Sequence, residues 1–175
     1  MGKEVLIVGS GFMGTSMAHA IKDYNISCLE THETFLAPLK KLKIYKNIFS
    51  DVSDVEGEFS LVIICTRQKD VLDHISYFSS KFPESLITDI SSSKTFLQGI
   101  KLPSNFISSH PICGSHKIGP EDAETDLFEG KEVIIIDSPH HKNLLKLKSF
   151  WNSLGAKTSI MSVSYTHLRA HETYV

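Results

Sequence analysis

Two side chains in this sequence have the chemistry needed to move a proton while an alcohol is oxidised. His110 ends the apolar stretch NFISSH and is followed by Pro111. Ser92 lies in the turn DISSSK, which follows another apolar stretch. A positioned imidazole can accept a hydroxyl proton while hydride leaves the same carbon, and such a base typically contributes ~10²–10⁴-fold to the rate. Taken alone, the His-Pro pair also fits a buried turn, and Ser91 to Ser93 also fit the cap of a following helix.

A glycine pattern typical of nucleotide binding lies near the N-terminus. The residues GSGFMG follow the apolar run KEVLIV directly and precede a segment with helical periodicity. In this context the first glycine permits a tight turn, the second lets the backbone approach a pyrophosphate, and the third lets helix and strand pack closely. The N–H groups at the helix N-terminus then favour phosphate. We predict that the cofactor-binding residues are Gly9, Ser10, Gly11, Phe12, Met13 and Gly14.

Glu30 ends the next apolar stretch, ISCLE, 21 residues after Gly9. An acidic residue at this place can hydrogen-bond a ribose diol and repel a 2′-phosphate, which favours NAD over NADP. Thr66 ends the apolar stretch SLVIICT, and we predict that it also faces the cofactor. The alternative interpretation of Glu30 is a solvated glutamate at the end of a strand.

Apolar runs and helical segments alternate along most of the chain. The runs are continuous rather than alternating, which is typical of strands buried on both faces of a parallel sheet. The sequence therefore predicts a Rossmann-type, doubly wound α/β fold with a mainly parallel sheet and helices on both faces. Ligands of such sheets bind at the carboxyl ends of the strands. The predicted strands are 3–8, 26–30, a weak one near 44, 60–66, 85–90, 105–110, 132–136 and 157–161, and the predicted helices are 12–22, 34–42, 70–82 and 140–154.

Composition limits the other classes of function. The 175 residues are 41% hydrophobic and carry a net charge of -2 without a basic stripe, so we expect neither nucleic acid nor a membrane as a partner. Three widely spaced cysteines, Cys28, Cys65 and Cys113, form no CxxC motif. They predict a reduced, cytoplasmic protein. His140 and His141 lack a matching set of metal ligands, so we predict that they are solvated and that no metal is bound.

Two further motifs make the prediction specific. HPICGSHKIGPEDAETDLFEGKEVIII resembles the HPMAGxExxGxxxAxxxLFEGxxxxL stretch of prephenate dehydrogenases. TDISSSK resembles the D-x-x-S-x-K turn of the same family. This resemblance runs in the right order from Lys3 to Met161. It implies oxidative decarboxylation of prephenate to 4-hydroxyphenylpyruvate in tyrosine biosynthesis, with NAD(P) as the cofactor, or the same reaction on arogenate.

The resemblance also implies roles for individual residues. His110 corresponds to the catalytic histidine that takes the proton of the ring hydroxyl, and Ser92 to the serine that orients it. Ser115 corresponds to a position at the substrate pocket. His116 stands where the family usually has glutamate at the substrate entrance, so affinity or its pH dependence is expected to differ. LFEGK is predicted to be a structural turn, and Lys94 a charge on a helix surface.

The chain departs from the family at two smaller positions and at its end. Arg67 replaces a common proline, and Cys113 replaces a common alanine. We expect residues 1–162 to form the dinucleotide-binding domain. Residues 163–175 lack an apolar face and resemble the read-through translation of a sequencing adapter, the alternative being a natural polar tail. The family's C-terminal helical domain, which completes the pocket and forms a homodimer, is then missing, so we expect this chain to bind NAD but turn over poorly.

Two other functions fit parts of this pattern. A β-hydroxyacid-type or imine reductase would explain the glycine loop but not the HPxxGS…LFEG stretch. A non-catalytic NAD-binding module would keep the glycines and Glu30 but would not need Ser92 and His110. The position of these two side chains relative to each other is the observation that separates an enzyme from a module.

Overall fold

The computed structural model describes residues 3–136 and 142–161. Strands and helices alternate through most of them, as the apolar periodicity predicts. The strands are β1 (Glu4–Val8), β2 (Asn25–Leu29), β3 (Asn47–Phe49), β4 (Leu61–Ile64), β5 (Leu86–Asp89), β6 (Ser108–Pro111), β7 (Glu132–Ile136) and β8 (Lys157–Met161). The helices are α1 (Phe12–Ala20), α2 (Glu33–Leu42), α3 (Gln68–Lys81) and α4 (Leu144–Ser153).

The main sheet has five parallel strands in the order β3-β2-β1-β4-β5. The central strand β1 is buried on both faces because its side chains enter two separate cores. Val5 and Ile7 join one core, and Leu6 and Val8 join the other. Burial on both faces is the reason why these strands are continuous apolar runs. The Rossmann-type fold class predicted from the sequence is confirmed.

A second sheet of three strands has the order β6-β7-β8. β7 runs antiparallel to β6 and parallel to β8. In residues 3–136 and 142–161, backbone pairing joins the two sheets at one parallel bridge, between Ile87 and Phe106. There the Ile87 N–H donates to the Asn105 carbonyl at 2.9 Å, and the Ile107 N–H donates to the Ile87 carbonyl at 3.0 Å. β6 thus continues the direction of β5, and both strands end at the same edge.

Some element boundaries differ from those predicted. The weak strand expected near Ile44 forms at Asn47–Phe49, because Lys43 takes a left-handed conformation with φ 55° and ends α2 first. The stretch 105–110 contributes a regular strand only from Ser108, since Phe106 forms an isolated bridge. The first residues of the predicted helix 140–154, including His140 and His141, and the predicted tail 163–175 lie outside the described residues.

Within the described part of the chain, no helix is long and apolar enough to cross a membrane. The same residues contain no group of three or more His, Cys, Asp and Glu side chains that could hold a metal ion. All three cysteines are free thiols. Burial raises the pKa of Cys28 to about 12 and that of Cys113 to about 11, so both thiols are protonated at neutral pH.

Candidate active site

The glycine loop between β1 and α1 is shaped by close backbone packing. Gly9 has φ 90°, and a Cβ atom there would lie 2.9 Å from Thr66 Cγ2 and 3.0 Å from the Cys65 carbonyl oxygen. A Cβ atom on Gly14 would collide with the Gly9 carbonyl oxygen. Glycine is therefore required at both positions for the turn itself and for the close approach of α1 to β1.

Glu30 holds the glycine loop in place. Its buried carboxylate accepts a hydrogen bond from the Ser10 N–H at 2.8 Å and another from the His32 N–H at 2.8 Å. The alternative interpretation of Glu30 as a solvated glutamate is therefore wrong, and Glu30 has a structural role that sequence reasoning missed. Each carboxylate oxygen retains a second lone pair that can accept from a ribose hydroxyl. The Ser10 side chain is fully buried, and its N–H is already bonded to Glu30. Contact of Ser10 with a cofactor stays a prediction.

The N-terminus of α1 is partly occupied by another segment of the chain. The Phe12 N–H, predicted to face phosphate, donates to the Ile118 carbonyl at 2.7 Å. A Cβ atom on Gly11 would lie 2.8 Å from the same oxygen, so the close approach that this glycine permits is made by the chain's own backbone. Among the described residues, the Gly11 and Met13 N–H groups have no acceptor. These two donors remain for an anionic ligand.

Thr66 packs against the glycine loop through its methyl group, as its contact with Gly9 shows. Its hydroxyl lies 3.2 Å from Nδ1 of His74 on α3. Burial lowers the pKa of His74, and the acidic residues Asp70 and Asp73 oppose that shift. The contact between the Thr66 hydroxyl and the imidazole lies at the edge of the sheet where a cofactor would bind. Arg67 is exposed and forms the N-cap of α3.

The serine turn after β5 is organised around the fully buried carboxylate of Asp89. It accepts hydrogen bonds from the Ser91 N–H at 3.1 Å, from the Ser91 hydroxyl, and from the Ser108 hydroxyl at 2.5 Å. No α-helix follows the turn, only a short 3-10 helix over Thr95–Leu97 whose first N–H groups receive no side-chain cap. The capping interpretation of these serines is therefore wrong.

Lys94 is not a surface charge, as the sequence predicted, but only 8% exposed. Its ammonium group donates to Asp89 at 2.6 Å, to the Ser109 carbonyl at 2.7 Å and to the Ser91 hydroxyl at 3.2 Å. All three N–H bonds are thus used, which is the condition under which a buried charge is tolerated. Burial lowers the pKa of Lys94, and Asp89 opposes that shift.

His110 lies on β6, next to the carbonyl that Lys94 binds. Burial lowers the pKa of His110, the Lys94 cation lowers it further, and Asp89 acts in the opposite direction. The imidazole is therefore neutral at pH 7 and able to accept a proton. Ser92 is exposed in the turn, and among the described residues its hydroxyl makes no hydrogen bond to His110. The orienting contact between Ser92 and His110 stays a prediction.

The connection from β6 to β7 crosses the same edge of the sheet and reaches α1. Ser115 and His116 are exposed in it, and the Ser115 hydroxyl accepts from the Lys117 N–H at 3.1 Å. Further on, the Glu124 N–H donates to the hydroxyl of the buried Ser16 on α1 at 3.0 Å. The stretch LFEGK is a structural turn, as predicted: Phe128 is fully buried, and Gly130 has φ 69°.

The comparisons with known proteins agree with this arrangement. The family model for the nucleotide-binding domain of prephenate dehydrogenase matches residues 18–160. The chain belongs to the prephenate dehydrogenase family. The matched segment begins inside α1 and extends into β8, so it includes the serine turn and the β6–β7 connection but not the glycine loop.

Individual relatives support the same assignment. The chain is 32% identical to prephenate dehydrogenase of Bacillus subtilis over 77% of this chain and 39% of that protein. It is 24% identical to cyclohexadienyl dehydrogenase of Zymomonas mobilis over 93% of this chain and 59% of that protein. The crystal structure of prephenate dehydrogenase from A. aeolicus, in complex with hydroxyphenyl propionate and NAD+, superposes with a TM-score of 0.83 at 25% identity.

The chain spans only part of these relatives. The superposition includes 95% of this chain but only 62% of the A. aeolicus chain. The chain matches 59% of the Zymomonas mobilis protein and 39% of the Bacillus subtilis protein. The family assignment therefore concerns the nucleotide-binding part of a longer architecture.

Proposed function

We propose that this chain is the NAD-binding part of an enzyme that oxidatively decarboxylates prephenate to 4-hydroxyphenylpyruvate. The observation that carries the proposal is the position of His110, a neutral histidine on β6 at the edge of the sheet where the glycine loop also lies. A base and a dinucleotide site at one edge are what hydride transfer from an alcohol requires. The family assignment supports the same reaction.

The free donors of the glycine loop fit a dinucleotide. Gly11 and Met13 present backbone N–H groups at the positive end of α1, which suits a pyrophosphate. Glu30 keeps lone pairs for a ribose diol, and its negative charge disfavours a 2′-phosphate, so NAD is the preferred cofactor. When bound, this cofactor supplies the nicotinamide that accepts hydride.

The chain's own residues perform the proton chemistry. His110 accepts the proton of the ring hydroxyl as hydride leaves the carbon that bears it. Ser92 orients the hydroxyl and the imidazole, and Ser115 and His116 line the substrate entrance. Loss of the ring carboxylate as CO2 makes the ring aromatic, which drives the reaction without help from the protein. Catalysis by this chain therefore consists mainly of alignment.

The part of the relatives that this chain does not cover gives the remaining proposals. We propose that residues 1–162 form the dinucleotide-binding domain and that a second, helical domain completes the substrate pocket and forms a homodimer. The protein is proposed to act in the cytoplasm. Arogenate is the alternative substrate, since the contacts that would distinguish it from prephenate are assigned to the second domain.

A non-catalytic NAD-binding module is the second candidate function. The observation that favours it is that Ser92 and His110 make no hydrogen bond to each other. Such a module would bind NAD through the glycine loop and leave the serine turn without a chemical role. A substitution of His110 distinguishes the two functions.

The test measures prephenate-dependent formation of NADH by the protein complete with its second domain. We expect His110→Asn to lower turnover by at least ~10²-fold while NAD affinity, measured by calorimetry, is retained. Asn keeps a polar group of similar size but cannot act as a base. Turnover at the level of the unsubstituted protein would remove His110 from the mechanism, and absence of any turnover in that protein would favour the module. We expect the 175-residue chain alone to bind NAD and to show little or no turnover.

A further inference from the structure

The buried ion pair between Asp89 and Lys94 joins three separate segments of the chain. Asp89 is the last residue of β5, and Lys94 follows the serine turn. The third segment is β6, which contributes the Ser109 carbonyl to Lys94 at 2.7 Å and the Ser108 hydroxyl to Asp89 at 2.5 Å. Ser109 directly precedes His110, so the pair fixes the backbone that carries the proposed base.

This connection matters because, among the described residues, backbone pairing joins the two sheets at one bridge only. Besides the bridge between Ile87 and Phe106, the buried hydroxyls of Thr88 and Ser109 lie 2.9 Å apart between the two sheets. That bridge lies two residues before the end of β5 and four residues before His110. The ion pair adds charged contacts to Ser108 and Ser109 at the carboxyl ends of β5 and β6. Its burial strengthens those contacts, since little water competes for the charges.

We propose that Lys94 is a positioning residue for the base, tying the serine turn to the backbone of β6 and so fixing His110 relative to Ser92. The inference rests on the proposed function, because it assigns the purpose of that geometry. Lys94 does not reach the reacting atoms itself. Its ammonium group has no free donor, since all three bonds go to Asp89, Ser91 and Ser109.

Lys94 has a second, electrostatic effect on the same histidine. The charged groups that face His110 are Asp89 from β5 and Lys94 from the turn. On β7, His110 pairs with the uncharged Ile134. Burial is the larger cause of the lowered pKa of His110, and loss of the Lys94 cation removes the second cause. The pKa of His110 should then rise, which a purely structural role elsewhere in the fold would not cause.

The experiment uses the complete protein and the 175-residue chain, with two test variants and one control variant. Lys94→Met removes the ammonium group but leaves Asp89 unpaired, so it risks unfolding. Asp89→Asn combined with Lys94→Gln replaces the ion pair by neutral amides, so no unpaired charge is left in the interior. The Gln side chain is one atom shorter than that of Lys, so the tie to the Ser109 carbonyl is lost. Lys101→Met, at an exposed lysine, is the matched control.

In the complete protein, we expect the double variant to lose roughly 10- to 100-fold in kcat, with a smaller change in KM and an NAD affinity within about twofold. In the 175-residue chain, an NMR titration of Lys94→Met should show a higher pKa for His110. The Lys101→Met control should change neither quantity. Should Lys94→Met fail to fold, the kcat of the double variant decides the question.

The outcomes separate this inference from the proposed function. An unchanged kcat in the folded double variant would overturn the positioning role, because the reaction would then proceed without the tie. A complete parent protein that shows no turnover would instead overturn the proposed function. In that case the His110 titration in the chain still tests whether Lys94 acts on the histidine, and an unchanged pKa would contradict it.

Discussion

The candidate active site has two halves that differ in composition. We call the loop of residues 9–14 with α1 the glycine half, and the region of Asp89 and Lys94 the charged half. The glycine half, around α1, consists of backbone atoms, with glycines that permit close approach and with the N–H groups of Gly11 and Met13, which have no acceptor among the described residues. The half around β5 and β6 consists of side chains, with a buried carboxylate and a buried ammonium group at its centre. Backbone donors suit a cofactor whose phosphates are recognised by shape and dipole. A fixed array of side chains suits chemistry that depends on one base.

The two halves should therefore fail in different ways when they are altered. The glycine half is sensitive to added volume, because there is no room for a Cβ atom. The charged half is sensitive to the loss of a partner, because a single charge left in the interior is costly. Three measurements of stability test this difference, with unfolding in urea as the common method.

The largest effect is expected from Asp89→Ala. This substitution leaves Lys94 buried without its carboxylate and should lower the free energy of unfolding by ~3–5 kcal/mol. The matched control is Glu124→Ala, which breaks the exposed ion pair with Lys117 at 2.7 Å. Exposed pairs contribute little, so the control should leave the urea midpoint unchanged. Equal losses in both variants would show that burial of the charged half is unimportant.

A smaller effect is expected from Gly14→Ala in the glycine half. The new methyl group would meet the Gly9 carbonyl oxygen and the Ile7 side chain, so strand and helix must separate. Overpacking of this kind costs ~1–3 kcal/mol. Gly114→Ala is the control, since a Cβ atom there would have no neighbour within 4 Å. If both substitutions were tolerated equally, the glycine half would be less tightly packed than its geometry indicates.

The smallest effect concerns pH and involves His110 in the charged half and His74, which contacts Thr66 beside the glycine loop. Burial lowers the pKa of His74, beside Thr66, and of His110 from the ordinary value of 6.5. The unfolded chain therefore binds more protons than the folded protein, and stability should fall as the pH falls below that ordinary value. Urea midpoints compared at about pH 7.5 and about pH 5.5 should show this loss. The double variant His74→Asn with His110→Asn should reduce the difference, and an unchanged difference would assign it to other groups.

The sequence predicted four strands of the main sheet well, β1, β2, β4 and β5, because they are buried on both faces. The edge strand β3 is only partly buried, and its position was predicted wrongly. In a chain where apolar runs and helical segments alternate, a continuous apolar run such as LVII at Leu61–Ile64 predicts a buried parallel strand. The direction of β7 was not predicted, because a hydrophobic run has the same composition in either orientation. The connection 112–131 contains no α-helix, and a return without a crossover helix is what allows the antiparallel pairing.

The site was predicted less completely, for two physical reasons. Lys94 was assigned to the surface because lysine is rarely buried, and its partner Asp89 becomes visible only when strand and turn are folded together. The spacing of D-x-x-S-x-K, with both charges in one short turn, was the signal that could have revealed the pair. The Ile118 carbonyl carried no signal at all, since every residue type has the same backbone oxygen.

The buried indole of Trp151 is an intrinsic fluorescent probe of the protein interior. Trp151 is the single tryptophan in the sequence, is fully buried, and donates from Nε1 to the Ser109 hydroxyl at 3.0 Å. The same hydroxyl lies 2.9 Å from the Thr88 hydroxyl on β5. One fluorophore thus lies beside the residue that precedes His110 and touches the contact between the two sheets. Its emission wavelength and intensity report on that junction directly, without a label and against no background from other tryptophans.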